Sequence, residues 1–210
     1  MTVNHLKKYQ TKYLGIHIDQ HLKWDIHNIQ NIITKLRKLI YVFLKLRPIF
    51  TLRQIYYALS QLIVTYANII WGGAHKTTIN KLEVMQRLLL KVILKKQRRY
   101  PTEDIYRDYK VLDVRQLYIK SLLIHYHSHV KKQRQIRHSR TTRLKLLGHM
   151  TIPRTKLEFG HRHYSYLAPK IYNKLPHSIR VTPAGKTYNK QITKWLLTTN
   201  RQLIHNFLYS

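Results

Sequence analysis

Carboxylates and histidines are the residues of this chain whose spacing could support catalysis or metal binding. Two-metal chemistry needs paired carboxylates, because the ions must neutralise the attacking and the leaving oxygen together. Asp104 and Asp108 share a helix face at i, i+4, as a small metal-dependent nuclease would require, but lysines and arginines crowd this region. His125 and His129 also share a face, yet no cysteine or acid lies nearby to complete a tetrahedral site. We therefore predict no catalytic residue and no metal site, and interpret His125, His127 and His129 as solvated histidines near a helix end.

Positive charge dominates the composition. The 210 residues include 39 Lys and Arg against 8 Asp and Glu, which gives a formal net charge of +31. Such an excess opposes compaction and favours a polyanionic partner. Nucleic acid is the leading candidate, ahead of an anionic membrane surface. The longest apolar stretch, near residues 62–71, is too short to span a bilayer, which takes about 20 residues, and the absence of cysteine excludes disulfides and thiol catalysis.

A series of arginines is a candidate for contacts with phosphates. Arg134, Arg137, Arg140 and Arg143 repeat every third residue. In an extended polyproline-II chain, which has three residues per turn, this spacing makes a straight cationic ridge. In an α-helix the same residues would spread around the surface, and a solvated linker is the alternative. Sixteen tyrosines interleave with basic residues, and we expect a minority of them to stack on bases.

Hydrophobic periodicity predicts the elements that must position these residues. Alternation from Tyr13 to Asp19 predicts a strand, followed by a turn at residues 19–21 and a short return strand at 22–24. From the N-cap Asp25 onward, apolar residues recur at intervals of three and four and predict helices. The second helix begins after the cap Thr51, and its predicted buried face is formed by Leu52, Ile55, Leu59, Leu62, Ile63, Tyr66 and Ile70. Acids such as Asp113 are interpreted as helix caps.

The predicted fold class is mainly α. A β element covers residues 1–24, and a helical bundle covers residues 25–130. The stretch 131–163 is basic and lacks a convincing period, which is typical of a linker. Residues 164–210 form a smaller C-terminal helical segment.

Two blocks of sequence resemble one known family. Residues Lys12–Trp24 (KYLGIHIDQHLKW), with His27 just after them, resemble the Tyr-Leu-Gly block that closes the palm of non-LTR (LINE-type, jockey-like) retrotransposon reverse transcriptases. Residues Gly160–Arg180 look like the C-terminal segment of the same elements, where an aromatic residue, Ala-Pro, an aromatic–Asn pair, Leu-Pro and Ile-Arg recur. This chain has Tyr172 where a tryptophan is common, and His163-Tyr164 where Ser-Phe is frequent. The resemblance covers roughly residues 9–205.

The resemblance implies a thumb and post-thumb fragment that grips nucleic acid. Tyr13, Leu14 and Gly15 would belong to a primer-grip-like element, and the helices from Asp25 onward would hold the template–primer duplex by its backbone. The implied contacts are lysines and arginines on the polar faces of these helices: Lys35, Lys38, Lys45 and Arg53.

The resemblance gives this chain no active site. The fingers, most of the palm and the catalytic aspartates with their magnesium are missing, so we expect no cofactor in this chain and no activity from it alone. The expected partners are RNA, DNA or an RNA–DNA hybrid and the missing palm and fingers, with no membrane, in the nucleus or a cytoplasmic ribonucleoprotein. The alternative is a free-standing basic RNA-binding or packaging protein derived from a retroelement.

Overall fold

Helices form most of the structure. The computed structural model describes residues 10–19, 28–46, 52–136 and 149–209. Within these ranges the predicted fold class, mainly α with a short N-terminal β element, is confirmed. The elements in chain order are β1 (Gln10–Tyr13), β2 (Ile16–Asp19), α1 (Gln30–Lys45), α2 (Leu52–Ile55), a π-helical segment (Tyr56–Gln61), α3 (Leu62–Thr65), α4 (Asn68–Trp71), α5 (Lys76–Ile93), α6 (Thr102–Tyr109), α7 (Val114–Ile136), α8 (Glu158–Arg162), α9 (Tyr164–Asn173), α10 (His177–Val181), α11 (Lys186–Thr198) and α12 (Arg201–Tyr209).

The N-terminal β element is a hairpin. β1 and β2 are antiparallel, with Tyr13 opposite Ile16. The chain reverses at Leu14 and Gly15, whose φ angles are 46° and 79°. Two central residues with positive φ match the right-handed twist of the flanking strands. The prediction of one strand from residue 13 to 19 was therefore wrong, because alternation continues across a two-residue turn. The predicted turn and return strand after Asp19 lie outside the described residues, as do the caps Asp25 and Thr51.

The second predicted helix is divided into short segments. α2 continues into the π-helical segment and α3, and Ala67 then adopts a φ of 51° before α4 begins. The buried residues of this stretch are Leu52, Tyr56, Ser60, Val64, Asn68 and Trp71. The predicted face was wrong at Leu59, Leu62, Tyr66 and Ile70, which are exposed. A π-helical turn contains more residues than an α-helical turn. The buried positions of this stretch therefore recur every four residues and do not follow the 3.6-residue period on which the prediction was based.

Helix α7 is the centre of the molecule. It begins with a reciprocal cap, in which the Gln116 N–H donates to Asp113 Oδ1 at 2.8 Å and the Asp113 N–H donates to Gln116 Oε1 at 3.0 Å. Residues 111–119 are all buried, as expected for a helix covered on every side. Helices α3, α4, α5, α9, α11 and α12 pack against it. α7 extends to Ile136, so the stretch predicted as a linker from residue 131 begins as a helix.

The C-terminal helices share a hydrophobic core with the bundle. One cluster includes Leu36 of α1, Leu82 of α5 and Leu117 of α7 together with Ile171 of α9 and Ile192 of α11. A second cluster joins α1, the π-helical segment, α5 and α6. The segment that follows residue 163 is therefore packed as part of the bundle and does not form a core of its own.

Candidate nucleic-acid interface

The outer face of α1 carries three of the residues predicted to contact nucleic acid. Lys35, Lys38 and Lys45 are exposed, while Leu36 points into the core. The Nζ atom of Lys45 lies 4.7 Å from the centroid of the exposed Tyr41 ring, a geometry in which ring and cation attract each other. The sequence of α1 contains no acid, so no side chain of this helix neutralises these lysines.

A groove of about 450 Å³ opens between the hairpin turn, α1 and α3. Leu14 and Gly15, two of the primer-grip-like residues, line it together with Lys35. Leu62 and Tyr66 also line it and are 62% and 59% exposed. The groove thus combines apolar and aromatic walls, which suit a base or sugar, with a cation that suits a phosphate. Sequence reasoning placed the hairpin turn and Lys35 on separate elements, and the structure brings them together in one groove.

Two side-chain contacts hold the hairpin in this position. The Asn28 side chain accepts from the His17 N–H at 2.8 Å and donates to the His17 carbonyl at 2.7 Å. The Asn28 amide therefore satisfies the backbone N–H and C=O groups of His17 at the free edge of β2, as a neighbouring strand would. The Tyr66 hydroxyl donates to the Leu14 carbonyl at 2.7 Å. Tyr13, the third primer-grip-like residue, is exposed beside the turn. Asn28 was missed by sequence reasoning, because nothing in the local pattern indicates its partner.

The remaining predicted contacts lie elsewhere. The Arg53 guanidinium donates to the Lys110 carbonyl at 3.4 Å and lies 5.8 Å from the Tyr57 ring centroid. Arg53 is thus tied to the end of α6, and it does not line the groove. The backbone of Arg134 is α-helical, which is the second of the two conformations considered for this series, and its contact with phosphates stays a prediction. Arg137, Arg140 and Arg143 lie outside the described residues.

The two aspartates considered for a metal site each have a separate partner. Asp104 forms an ion pair with Arg107, three residues later on α6. Asp108 accepts a hydrogen bond from the Tyr100 hydroxyl at 2.7 Å. The described residues contain no group of three or more His, Asp or Glu side chains that could hold a metal ion.

Two further acids belong to a buried polar network. Glu83 and Arg115 form an ion pair at 2.9 Å, and each side chain is only 9% exposed. Burial raises the pKa of Glu83 above its ordinary value, and the Arg115 guanidinium opposes that shift. Asp113 forms an ion pair with Arg201 at 3.0 Å, which links the start of α7 to α12. Glu83 and Asp113 therefore pair with cations inside the fold.

The three histidines of α7 are not solvated as a group. His125 and His129 are exposed, but His127 is fully buried. Its Nδ1 lies 3.0 Å from the Tyr172 hydroxyl and its Nε2 lies 2.9 Å from the Thr182 carbonyl. The interpretation of His127 as a solvated residue was wrong, because the C-terminal segment folds over this part of α7. The ring connects α7 to α9 and to the residues after α10.

The second block of the family resemblance is mainly a packing surface. Leu167, Ala168, Pro169 and Tyr172 of α9 are buried. Asn173 donates to the Met150 carbonyl at 2.8 Å and accepts from the Met150 N–H at 2.7 Å. This arrangement repeats the contact of Asn28 with His17. Asn173 therefore holds the chain at Met150 against α9, while Tyr172 packs inside the helical core.

No protein-family model, curated protein or solved structure matches this chain. The resemblance of the two blocks to retrotransposon reverse transcriptases therefore stays a prediction. Among the described helices, none is both long enough and apolar enough to cross a membrane.

Proposed function

We propose that this chain binds the backbone of RNA, DNA or an RNA–DNA hybrid, as a thumb and post-thumb portion related to non-LTR retrotransposon reverse transcriptases. The chain grips nucleic acid with little sequence preference and performs no polymerisation alone. Such a protein would act together with palm and fingers that carry the catalytic carboxylates and their magnesium.

The observation that carries this proposal is the large excess of cations over acids. The chain has a net charge of +31, and the acids of the described residues are partly occupied in ion pairs with Arg107, Arg115 and Arg201. The other lysines and arginines far outnumber the acids. A surface with so many uncompensated cations attracts a polyanion and releases its counterions on binding.

The geometry at α1 supports a backbone-binding mode. Lysines on an exposed helix face contact phosphates, which position a nucleic acid without reading its sequence. The groove beside Lys35 adds Leu14 and Tyr66, against which a sugar or an unstacked base can lie. Sequence preference should therefore be weak, and ionic strength should dominate the affinity.

A salt titration tests the proposal. Binding of the chain to a 20-base-pair RNA–DNA hybrid, measured by fluorescence anisotropy, should weaken by about 10³–10⁵ between 50 and 200 mM salt if six to ten phosphates are contacted. Hybrids of unrelated sequence should bind with similar affinity. A flat titration would contradict the proposal.

Substitutions on α1 test where the contact lies. The triple variant K35Q/K38Q/K45Q should bind more weakly, and its slope of log affinity against log salt should fall by about 1 for each lost phosphate contact. The variant K76Q/K81Q/K156Q is a matched control, because it removes three exposed charges from other elements. Equal losses in both variants would indicate diffuse attraction and contradict an interface on α1.

Two observations separate the proposal from its alternatives. An aromatic-Ala-Asp-Asp motif in frame upstream of the Met1 codon would indicate a polymerase fragment, whereas an unrelated promoter would favour an independent RNA-binding or packaging protein. The purified chain should not extend a primer, and extension by the chain alone would overturn the non-catalytic part of the proposal.

A further inference from the structure

Helix α11 has one apolar face and one basic face. Tyr188, Ile192 and Leu196 recur every four residues and are buried against the core. Lys190 and Lys194 recur with the same spacing on the outer side and are exposed. Residues four apart on a helix are neighbours on its surface, so the two lysines form one cationic strip along α11.

A second groove, of about 410 Å³, lies between this strip and α7. Its lining residues are Lys120, Asn189, Lys190, Thr193, Lys194 and Leu197. Three of the six are lysines and none is acidic. The groove is separate from the one beside the hairpin turn, with which it shares no residue.

Lys120 is the unusual member of this set. It lies one turn after Gln116, whose side chain crosses to α11 and donates to the Leu196 carbonyl at 2.8 Å. Lys120 is half-buried in the same central helix, and burial lowers its pKa below the ordinary value for lysine. Among the described residues its ammonium group has no hydrogen-bond or ion-pair partner. Partial burial of a charged amine without a partner carries a desolvation cost, and an anion in the groove would offset that cost.

We propose that the groove between α7 and α11 binds the phosphodiester backbone of a nucleic acid, with Lys120, Lys190 and Lys194 contacting phosphate oxygens. The inference relies on the proposed function for the class of partner and extends it to a second surface. In this arrangement α1 and α11 each hold a stretch of backbone.

The arrangement of the lysines favours a nucleic acid over other anions. Lys120 is half-buried, whereas Lys190 and Lys194 are exposed, which suits a row of anionic groups lying along an open groove. A membrane surface would need apolar residues at the rim for insertion, and Leu197 is the one apolar residue of the lining. A strand of linked phosphates therefore matches the charges and their depth best.

Lysine footprinting tests which groups are covered. The chain is labelled with an acetylating reagent, and modification is quantified by mass spectrometry with and without a 20-base-pair RNA–DNA hybrid. Lys120, Lys190 and Lys194 should lose reactivity at least several-fold when the hybrid is bound, whereas Lys76 and Lys81 on α5 should change less. Protection of Lys120 by phosphatidylserine vesicles or polyglutamate, but not by the hybrid, would overturn the inference.

A pair of variants completes the test. K190Q/K194Q changes only exposed side chains, so it should fold normally, and its slope of log affinity against log salt should fall by about 2 relative to the unmodified chain. K76Q/K81Q should leave the slope nearly unchanged. A wild-type slope for K190Q/K194Q, with K35Q/K38Q/K45Q still weakened, overturns this inference and leaves the proposed function standing. A flat titration of the unmodified chain overturns both.

Discussion

The buried imidazole of His127 depends on two tyrosines that contribute in different ways. Its Nε2 faces the Thr182 carbonyl and must therefore donate. Its Nδ1 lies 3.0 Å from the Tyr172 hydroxyl, which also donates to the Arg180 carbonyl at 3.4 Å. The ring of Tyr188 stacks on the imidazole with centroids 3.8 Å apart. The buried Tyr188 hydroxyl has no hydrogen-bond partner among the described residues. One hydroxyl thus contacts the histidine, and the other is itself unsatisfied.

Removing each hydroxyl should consequently have opposite effects. Tyr172→Phe removes the hydroxyl that contacts both the buried imidazole and the Arg180 carbonyl and should lower the free energy of unfolding by about 1–3 kcal/mol. Tyr188→Phe keeps the stacked ring and removes an unpaired polar group, so stability should be unchanged or higher. Urea denaturation followed by circular dichroism measures both. Equal losses in the two variants would contradict this assignment of the hydrogen bonds.

At the same scale, sequence patterns identify caps but not long-range partners. Asp113 was predicted as the start of a helix, because a carboxylate before an apolar repeat satisfies free N–H groups. Nothing local indicates that the same carboxylate also pairs with Arg201, or that Glu83 pairs with Arg115. These partners are brought together only when α5 and α12 pack on α7. The solvated interpretation of His127 was wrong for the same reason.

The face that α2, α3 and the π-helical segment bury can be tested by truncating adjacent positions. Val64 is 2% exposed and Leu62 is 62% exposed, although the 3.6-residue pattern predicted Leu62 as buried. Val64→Ala should lower the free energy of unfolding by about 1–3 kcal/mol through a cavity, and Leu62→Ala should change it by less than about 0.5 kcal/mol. A larger loss of stability for Leu62→Ala than for Val64→Ala would indicate that the regular α-helical face, which includes Leu62, is the buried one.

Two glycines require their lack of a side chain for different reasons. A Cβ on Gly72 would overlap the ring of Tyr118, where α4 meets α7. Gly15 has open space around it but a φ of 79°. Gly72→Ala should therefore be strongly destabilising, by about 2 kcal/mol or more. Tyr118→Ala removes the overlapping ring but not the Asn68 carbonyl, which lies 2.5 Å from the added Cβ, so in its background Gly72→Ala should cost less but still destabilise. Gly15→Ala should cost about 1 kcal/mol with or without Tyr118→Ala. Urea denaturation of the three single and two double variants measures this coupling.

Element types were predictable where one local signal dominated, and element boundaries were not. Intervals of three and four residues correctly indicated helices at α1 and α5, because each buries a single stripe. Alternation at Tyr13–Asp19 could not locate the turn, although Gly15 marks a position that readily takes positive φ. The π-helical segment has no sequence signature in this chain. The groove beside Lys35 depends on these unpredicted features, so Leu14, Gly15 and Lys35 were each named from the sequence, but their position in one groove was not anticipated.

At the scale of the whole molecule, the C-terminal helices complete the core around α7. Leu117 and Leu122 of α7 belong to the cluster that also contains Leu167, Ile171 and Ile192. The two blocks of the family resemblance thus differ in position: the described part of the first, up to Asp19, lies in a hairpin beside a basic helix, and the second contributes mainly to the interior. The basic faces of α1 and α11 are consequently positioned by one packed unit.

A net charge of +31 should make the stability of the entire fold depend on ionic strength. Surface cations repel one another in the compact state, and raising the salt concentration from 0.01 to 0.1 M shortens the Debye length from about 30 to about 10 Å. The midpoint of urea denaturation should therefore rise with salt, because the buried Glu83–Arg115 and Asp113–Arg201 pairs are screened less than the exposed cations. The variant K35Q/K38Q/K45Q, which has three fewer charges, should show a smaller rise. At a fixed concentration of 100 times its low-salt Kd, a short RNA should raise the free energy of unfolding by about 2.7 kcal/mol at low salt. The same concentration should add far less at 0.5 M salt, because the Kd is higher there. A midpoint that falls with salt would mean that ion pairs outweigh self-repulsion, and it would remove the electrostatic reason for expecting a polyanionic partner.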